Sequence, residues 1–253
     1  MSNIVIITST MSLGTDNKPF TYSEKRSHFS DEERFRQTIA TVINAQQFIK
    51  NNGIIYLVDS SHDTSYANEI VKNYKNVRIH KIPYDLKKLV HTHPHKTYCE
   101  TALLLDFLQN NYYEVLKYSN LIKLSGRYLI DESEQLLKLL EVDASSDKFI
   151  FKEPLEWKWQ DVWGVPLVDI REKTGKDVLN SYCSVMYSVG MNKLRQYMAI
   201  LYNILQLLQY PDMYQYDMEM LLYRFTRRFH KDIMELDYKI TGWDGSGGSY
   251  MRY

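Results

Sequence analysis

The sequence predicts an α/β protein with a mostly parallel central sheet flanked by helices, Rossmann-like in layout. Three observations predict it. The apolar runs at residues 4–7 (Ile-Val-Ile-Ile) and 54–58 (Ile-Ile-Tyr-Leu-Val) are unbroken, as in strands buried on both faces. Helical patterns separate them from each other and from a third strand at 77–82, giving strand–helix–strand–helix–strand, the order of right-handed crossovers. No internal repeat or low-complexity linker divides the chain, so one continuous domain over residues 1–253 is expected.

Composition narrows the class. Apolar residues make up 44% and charged residues 25%, the ordinary profile of a soluble globular protein. Lys plus Arg and Asp plus Glu balance at 31 each, so no global field draws the chain to nucleic acid, and no nucleic-acid partner is expected. Cys99 and Cys183 stand far apart with no metal-type spacing and read as free thiols in a reduced compartment. The N-terminus lacks a basic region and a long apolar core, and no run reaches the length of a membrane span. A cytosolic protein without a transmembrane segment is the expectation.

The elements follow in order. The first strand runs into a polar loop over 11–30 that carries Gly14, Pro19, Lys25 and Arg26. Ser30-Asp-Glu-Glu33 is a capping box opening a helix with Phe35, Ile39, Val42 and Ile43 on its broad apolar face, which ends near Gly53. The second strand ends in Asp59-Ser-Ser-His-Asp63, and a helix through 69–74 leads to the third strand. The region 84–96 reads as a loop. Its His91, His93 and His95 could ligate a metal if extended, although Pro94 interrupts them and no partner carboxylate shows matching spacing. A mostly buried helix over 97–110 follows, with Lys96 and Glu100 near its start, facing the sheet edge. Beyond an acidic helix at 131–141 lie a strand at 148–152 and a cluster of Trp157, Trp159 and Trp163, which either stack on sugar or base rings or pack in a core. A strand at 182–189, an apolar helix at 191–210 and a helix at 216–230 precede a tail at 241–253 read as flexible or as a closing loop.

The stretch 121–131, Leu-Ile-Lys-Leu-Ser-Gly-Arg-Tyr-Leu-Ile-Asp, is the most informative. It reads as a buried strand carrying Lys123, broken at Ser125-Gly126, with Arg127 just past the break. Open α/β sheets bind ligands beyond the carboxyl ends of their strands. Glycine admits a phosphate close to the backbone, and an arginine fork matches its oxygens. The alternative is a glycine turn with a surface arginine.

Val58-Asp59-Ser60-Ser61-His62-Asp63-Thr64 resembles the V-D-D-G-S-x-D-x-T strand end of the large inverting family of glycosyltransferases with the A-type (GT-A) fold. The Lys-x-Ser-Gly-Arg-Tyr run and the upstream Glu33-Arg34-x-x-Gln37-Thr38 are similar to a group of small bacterial and large-virus glycosyltransferases without the usual metal motif. The resemblance implies that Asp59 accepts from the nucleobase imide, that Thr8 and Thr10 lie against the nucleoside, and that Arg34 belongs to the donor site. Relatives usually hold a divalent cation, Mg or Mn, on an Asp-x-Asp at a later strand end. Here that position reads Ser125-Gly126-Arg127, so Lys123, Arg127 and Lys96 stand in as fixed positive charge, transfer is expected to be metal-independent and no cofactor is assigned. The family's E-D-x-x-L-x-x-R helix start is matched by Asp217-Met-Glu219-Met-Leu221-Leu-Tyr-Arg224, with Glu219 as the implied general base and Asp217 as the fallback. Either carboxylate could equally be a stabilising first-turn charge.

The expectation is a glycosyltransferase that moves a sugar from a UDP- or GDP-sugar to a glycan or similar acceptor with inversion. Residues 1–130 form its nucleotide-sugar half and 131–253 its acceptor-side half. A nucleotidyltransferase and a non-catalytic nucleotide- or glycan-binding module are the alternatives.

Overall fold

The computed structural model describes residues 2–50, 52–131, 133–158, 178–214, 216–245 and 247–252. Strand β1 (Asn3–Ser9) lies between β2 (Ile54–Asp59) and β4 (Asn120–Ser125), parallel to both, and β3 (Val77–Ile79) continues beyond β2. On the other side β9 (Met186–Gly190) runs antiparallel between β4 and β6 (Phe149–Lys152), and β10 (Ile233–Leu236) closes the edge parallel to β6. The order β10-β6-β9-β4-β1-β2-β3 makes a seven-stranded, mostly parallel sheet, the architecture expected from the apolar runs.

Period-two alternation sorts the strand residues between two cores. Val5, Ile7, Ile55, Leu57, Ile122 and Leu124 pack with Phe35, Val42 and Phe48 of helix α1 (Asp31–Ala45) and its extension. Ile4, Ile6, Tyr56, Val58 and Leu121 pack on the opposite face with α4 (Lys96–Asn110) and a later helix, Leu194–Leu207. With both faces covered, the strands need no polar positions. Where one does occur, it carries information, as Lys123 shows below.

The capping box forms as expected: Ser30 Oγ accepts from the Glu33 backbone N–H at 3.3 Å, and Glu33 Oε2 accepts from the Ser30 N–H at 2.8 Å. Polar residues on the inner side of α1 then grip the chain after β4. Thr38 and Thr41 donate to the carbonyls of Gly126 and Tyr128, both at 3.0 Å, and Asn44 Oδ1 accepts from the Ile130 N–H at 2.8 Å. The turn at Ser125-Gly126-Arg127 is therefore held from the side by a helix.

The structure corrects several boundaries. Beyond the expected break at Ser125-Gly126 the chain does not rejoin the large sheet: β5 (Tyr128–Asp131) pairs with β11 (Lys239–Trp243), which pairs with β12 (Tyr250–Arg252). The tail is thus sheet rather than loop. The region read as a loop over 84–96 is helical from Tyr84 to Thr92 (α3), because Leu86, Leu89 and Val90 recur at helical spacing behind Pro83. The strand expected at 182–189 begins at Met186, and residues 182–185 form a turn between β8 (Val178–Ser181) and β9. Strand β7 (Leu155–Lys158) contains Trp157; Trp159 and Trp163 lie outside the described residues. Among the described residues no helix is long and apolar enough to cross a membrane.

Gly190, at the end of β9, has no room for a side chain: a Cβ there would overlap the backbone of Ser145 and Ser146. Gly190→Ala is expected to cost about 3 kcal/mol through this backbone clash, read as a lowered midpoint in chemical denaturation.

Candidate active site

A cleft of about 670 Å³ opens at the carboxyl ends of β1 and β4. Thr8, Ser9 and Thr10 line it from β1 and the loop beyond, and Ser125, Gly126 and Arg127 from the end of β4. Arg34 enters from α1, Lys96 and Glu100 from the start of α4, and Asp217 and Glu219 from the start of the helix Met218–Thr226. The topology therefore brings most of the residues singled out in the sequence to one place.

One end is cationic. Arg34 is only 4% exposed, yet its Nε and Nη1 have no hydrogen-bond partner, and Arg127 Nε is likewise buried and unpaired. Burial, then the positive charge of Arg127, pulls the Arg34 pKa down to about 9. Two guanidiniums that repel each other while holding unused donors are poised to take up an anion. Gly126 belongs here because its N–H donates to Thr8 O at 2.9 Å and a Cβ would stand 3.0 Å from that of Ser9. Lys96, exposed at the first residue of α4, adds a positive charge that acts on Glu100 and Asp217.

The other end is acidic. Asp217 caps its helix, accepting from the Met220 N–H at 2.9 Å, and Glu219 accepts a short hydrogen bond from Ser184 Oγ. Asp217 remains open to the cleft, but the enclosing walls, then the charge of Glu219, raise its pKa to about 7. Asp217 can therefore accept a proton near neutral pH.

Two expected donor ligands are elsewhere. Lys123 is fully buried beneath the cleft and does not line it. Its ammonium pairs with Glu100 and donates to Ser125 Oγ at 2.8 Å and to Ser184 O at 2.7 Å, so its donors are spent on the protein. The reason is register: residue 123 shares the face of Leu121, under α4. Burial pushes the Glu100 carboxyl up, but Lys123 and then Lys96 outweigh it and hold it below the usual range. Asp59 is also buried and outside the lining. It accepts from Ser9 Oγ at 2.7 Å and from the N–H groups of Met11 and Ser61, both at 3.3 Å, which makes it a brace for the loop after β1 rather than an open acceptor. Thr8 donates to Glu100 at 3.3 Å, and Thr10 shares a 2.6 Å hydrogen bond with Ser60.

The three histidines do not converge on a metal. His91 Nε2 lies 2.6 Å from Ser60 O, His93 stacks on Tyr98, and His95 caps α4 and meets Tyr214 O at 2.9 Å. Among the described residues no group of three or more His, Cys, Asp or Glu could hold a metal ion. At the end of β4 itself the cleft is lined by a hydroxyl, a glycine and two guanidiniums in place of carboxylate ligands for a divalent cation. Sequence reasoning missed Ser184, Tyr22 and Asp244 as cleft residues. Each sits in a turn or loop whose sequence pattern gives no direction.

No family model matches the sequence, and no curated protein does. Among solved structures the chain is similar to the galactosyltransferase LgtC in complex with donor and acceptor sugar analogues, at 11% identity over 93% of this chain and 73% of that one, with a TM-score of 0.49. It is similar to mouse xyloside xylosyltransferase 1 at 11% identity over 94% of this chain and 86% of that one, TM-score 0.49. It is also similar to core-mannan synthase A from Aspergillus fumigatus in its Mn/GDP form, at 8% identity over 95% and 74%, TM-score 0.49. Likenesses this distant do not assign an activity to the chain.

Two outcomes test the site. Lys123→Met strands the largely enclosed Glu100 carboxylate, 13% exposed, and is expected to cost about 3 kcal/mol, largely recovered when Glu100→Gln is added; urea denaturation of the single and double variants measures it. Asp217 has a folded pKa near 7 against an ordinary 3.8, so the folded state holds its proton more tightly and loses stability as pH rises between those values. Asp217→Asn keeps the cap, and its stability relative to wild type should be unchanged near pH 4 and progressively greater up to pH 8 in thermal unfolding.

Proposed function

We propose that this chain is a GT-A-like glycosyltransferase that takes its sugar from a nucleoside diphosphate donor. The observation that carries the reading is the pairing, in one cleft at the carboxyl edge of a parallel sheet, of unpartnered guanidinium donors with a carboxylate pair at a helix start. A nucleotide sugar is polarised in the same way, with an anionic diphosphate at one end and a neutral, hydroxylated sugar at the other.

The diphosphate lies on Arg34 and Arg127, with the Gly126 backbone close by and the nucleoside against Thr8, Thr10 and the loop that Asp59 braces. The arginines stabilise charge that grows on the leaving phosphate oxygen, the part that a cation plays where carboxylates hold one. Glu219, fixed by the hydrogen bond from Ser184 and set at the same helix start as Asp217, takes the proton of the acceptor hydroxyl. The acceptor oxygen then forms the new bond to the anomeric carbon, while the bond to the phosphate oxygen breaks and its electron pair leaves with the nucleoside diphosphate. One direct displacement inverts the anomeric centre. The groups that hold the donor in this scheme come from residues 1–130, and both carboxylates on the acceptor side come from the remainder.

Isothermal titration with UDP and GDP, with and without EDTA, followed by hydrolysis assays over a panel of UDP- and GDP-sugars, tests the scheme. Sugar release that survives EDTA is expected. Binding without turnover would indicate a non-catalytic module, and pyrophosphate release from a nucleoside triphosphate a nucleotidyltransferase. Arg34→Gln and Arg127→Ala should each weaken nucleoside diphosphate binding by about 2 kcal/mol, roughly thirtyfold, for a lost charge-assisted contact. Glu219→Gln should leave that affinity intact and lower transfer by about 10²–10⁴-fold. Unchanged affinity in both arginine variants would remove the donor site from this end of the cleft.

A further inference from the structure

The loop between β1 and α1 returns to the cleft and places Phe20, Thr21 and Tyr22 in its wall. The rings of Phe20 and Tyr22 stack with centroids 5.6 Å apart and planes 12° from parallel. The Arg26 guanidinium stands over the Phe20 ring, 4.1 Å from its centroid. That guanidinium cannot swing away, because it donates to the carbonyls of Lys18, Val90 and His93. The loop backbone is pinned as well, by Lys18 N–H to His91 O and Thr21 N–H to Pro94 O, both at 3.0 Å. The result is a cluster of one cation and two rings centred on Phe20 and pinned to the chain around residues 90–94, in which Tyr22 is still 56% exposed.

A lone exposed tyrosine is ordinary. A buttressed one on a cleft wall is different, since it offers a flat apolar surface whose position has already been set. The stack also lies toward the acidic end: Thr21 N–H is held by Pro94 O, and the next residue, His95, stacks on Tyr214 and meets its carbonyl at 2.9 Å, three residues before Asp217. Carboxylates accept from sugar hydroxyls and repel phosphates, so the ligand that suits this corner has one apolar face and a rim of hydroxyls. A pyranose ring fits that description. A nucleobase shares the flat face, but its diphosphate belongs with Arg34 and Arg127.

We propose that Tyr22, backed by Phe20 and Arg26, is the stacking platform for the sugar ring of the acceptor, which makes the acceptor a pyranoside rather than a lipid or protein hydroxyl. This rests on the glycosyltransferase reading above.

Saturation-transfer NMR on the full chain, with methyl β-galactoside, methyl β-glucoside, methyl α-mannoside, glycerol, uridine and guanosine as probes, tests the platform, alongside titration of UDP and GDP into each variant. At least one methyl pyranoside should take up saturation through its ring C–H protons, and glycerol none. Tyr22→Ser should lower that signal at least fivefold, Tyr22→Phe and Tyr22→Trp should keep it, and nucleotide affinity should stay within twofold throughout, which also shows that the variants are folded. The proposal is overturned if no pyranoside is saturated by the wild type, or if Tyr22→Ser binds pyranoside like the wild type. Loss of uridine or UDP binding in Tyr22→Ser would overturn it too, by making the ring a nucleobase platform. A wild type that binds pyranoside but neither UDP nor GDP would instead sink the transferase reading and leave the platform standing.

Discussion

The ammonium of Lys123 holds the floor of the cleft together. Fully buried, it joins Glu100 on α4, the hydroxyl of Ser125 at the end of its own strand and the carbonyl of Ser184 in the turn before β9. Its partners reach both sides of the cleft, for Glu100 accepts from Thr8 at the end of β1 and Ser184 donates to Glu219 on the acidic side. Coulomb attraction inside a protein offsets desolvation only when such a pair is fully hydrogen-bonded, and an apolar replacement of similar volume is often no less stable. The contribution of this charge is therefore geometric more than energetic. It fixes the distance between two functional ends carried by elements far apart in sequence.

Above that floor the cleft is polarised although the chain as a whole is neutral. Arg34 and Arg127 form the cationic end, where an arriving anion relieves two costs at once: their mutual repulsion and the desolvation of unpaired N–H groups. At the other end the first turn of the helix Met218–Thr226 partly compensates Asp217 through the Met220 N–H, yet the neighbouring Glu219 and the enclosing walls still favour the protonated form. The opposed preferences give a ligand its direction before any specific contact is made. An anionic group is drawn to one end and disfavoured at the other.

Much of the fold could be read from residues alone, because strands covered on both faces leave unbroken apolar runs and a helix that starts at Ser30-Asp-Glu-Glu33 announces its cap. The break at Ser125-Gly126 was legible for the same reason: it ends such a run. What a strand residue touches was harder to read. Lys123 was expected among the donor ligands, although its register with Leu121 points it beneath α4. Asp59 and the three histidines carry chemistry in their side chains, but nothing local shows that loop backbone and hydroxyls already occupy them. Tyr22 and Ser184 lie in a loop and a turn, where position depends on long-range contacts such as the pinning of residues 18 and 21 to the connection after α3.

Those pieces matter because the edge of a parallel sheet is an open shelf, and charge acts strongly only where water is excluded. Two segments outside the central sheet close it. The loop before α1 walls the acidic end with Tyr22, while the C-terminal strands cover the cationic one. Gly245 lies so close to Arg127 that a Cβ would stand 2.5 Å from the guanidinium carbon, and its carbonyl accepts from the His28 N–H at 3.0 Å. Gly248, at φ +68°, turns the chain back beside His28, and Trp243 meets Phe29 edge to face at 5.8 Å. The loop and the tail thus hold each other as well as the site. The sheet and its helices carry the charges, but the low-dielectric walls around them depend on this contact between residues near 28 and residues near 245, so the two ends of the cleft are enclosed together.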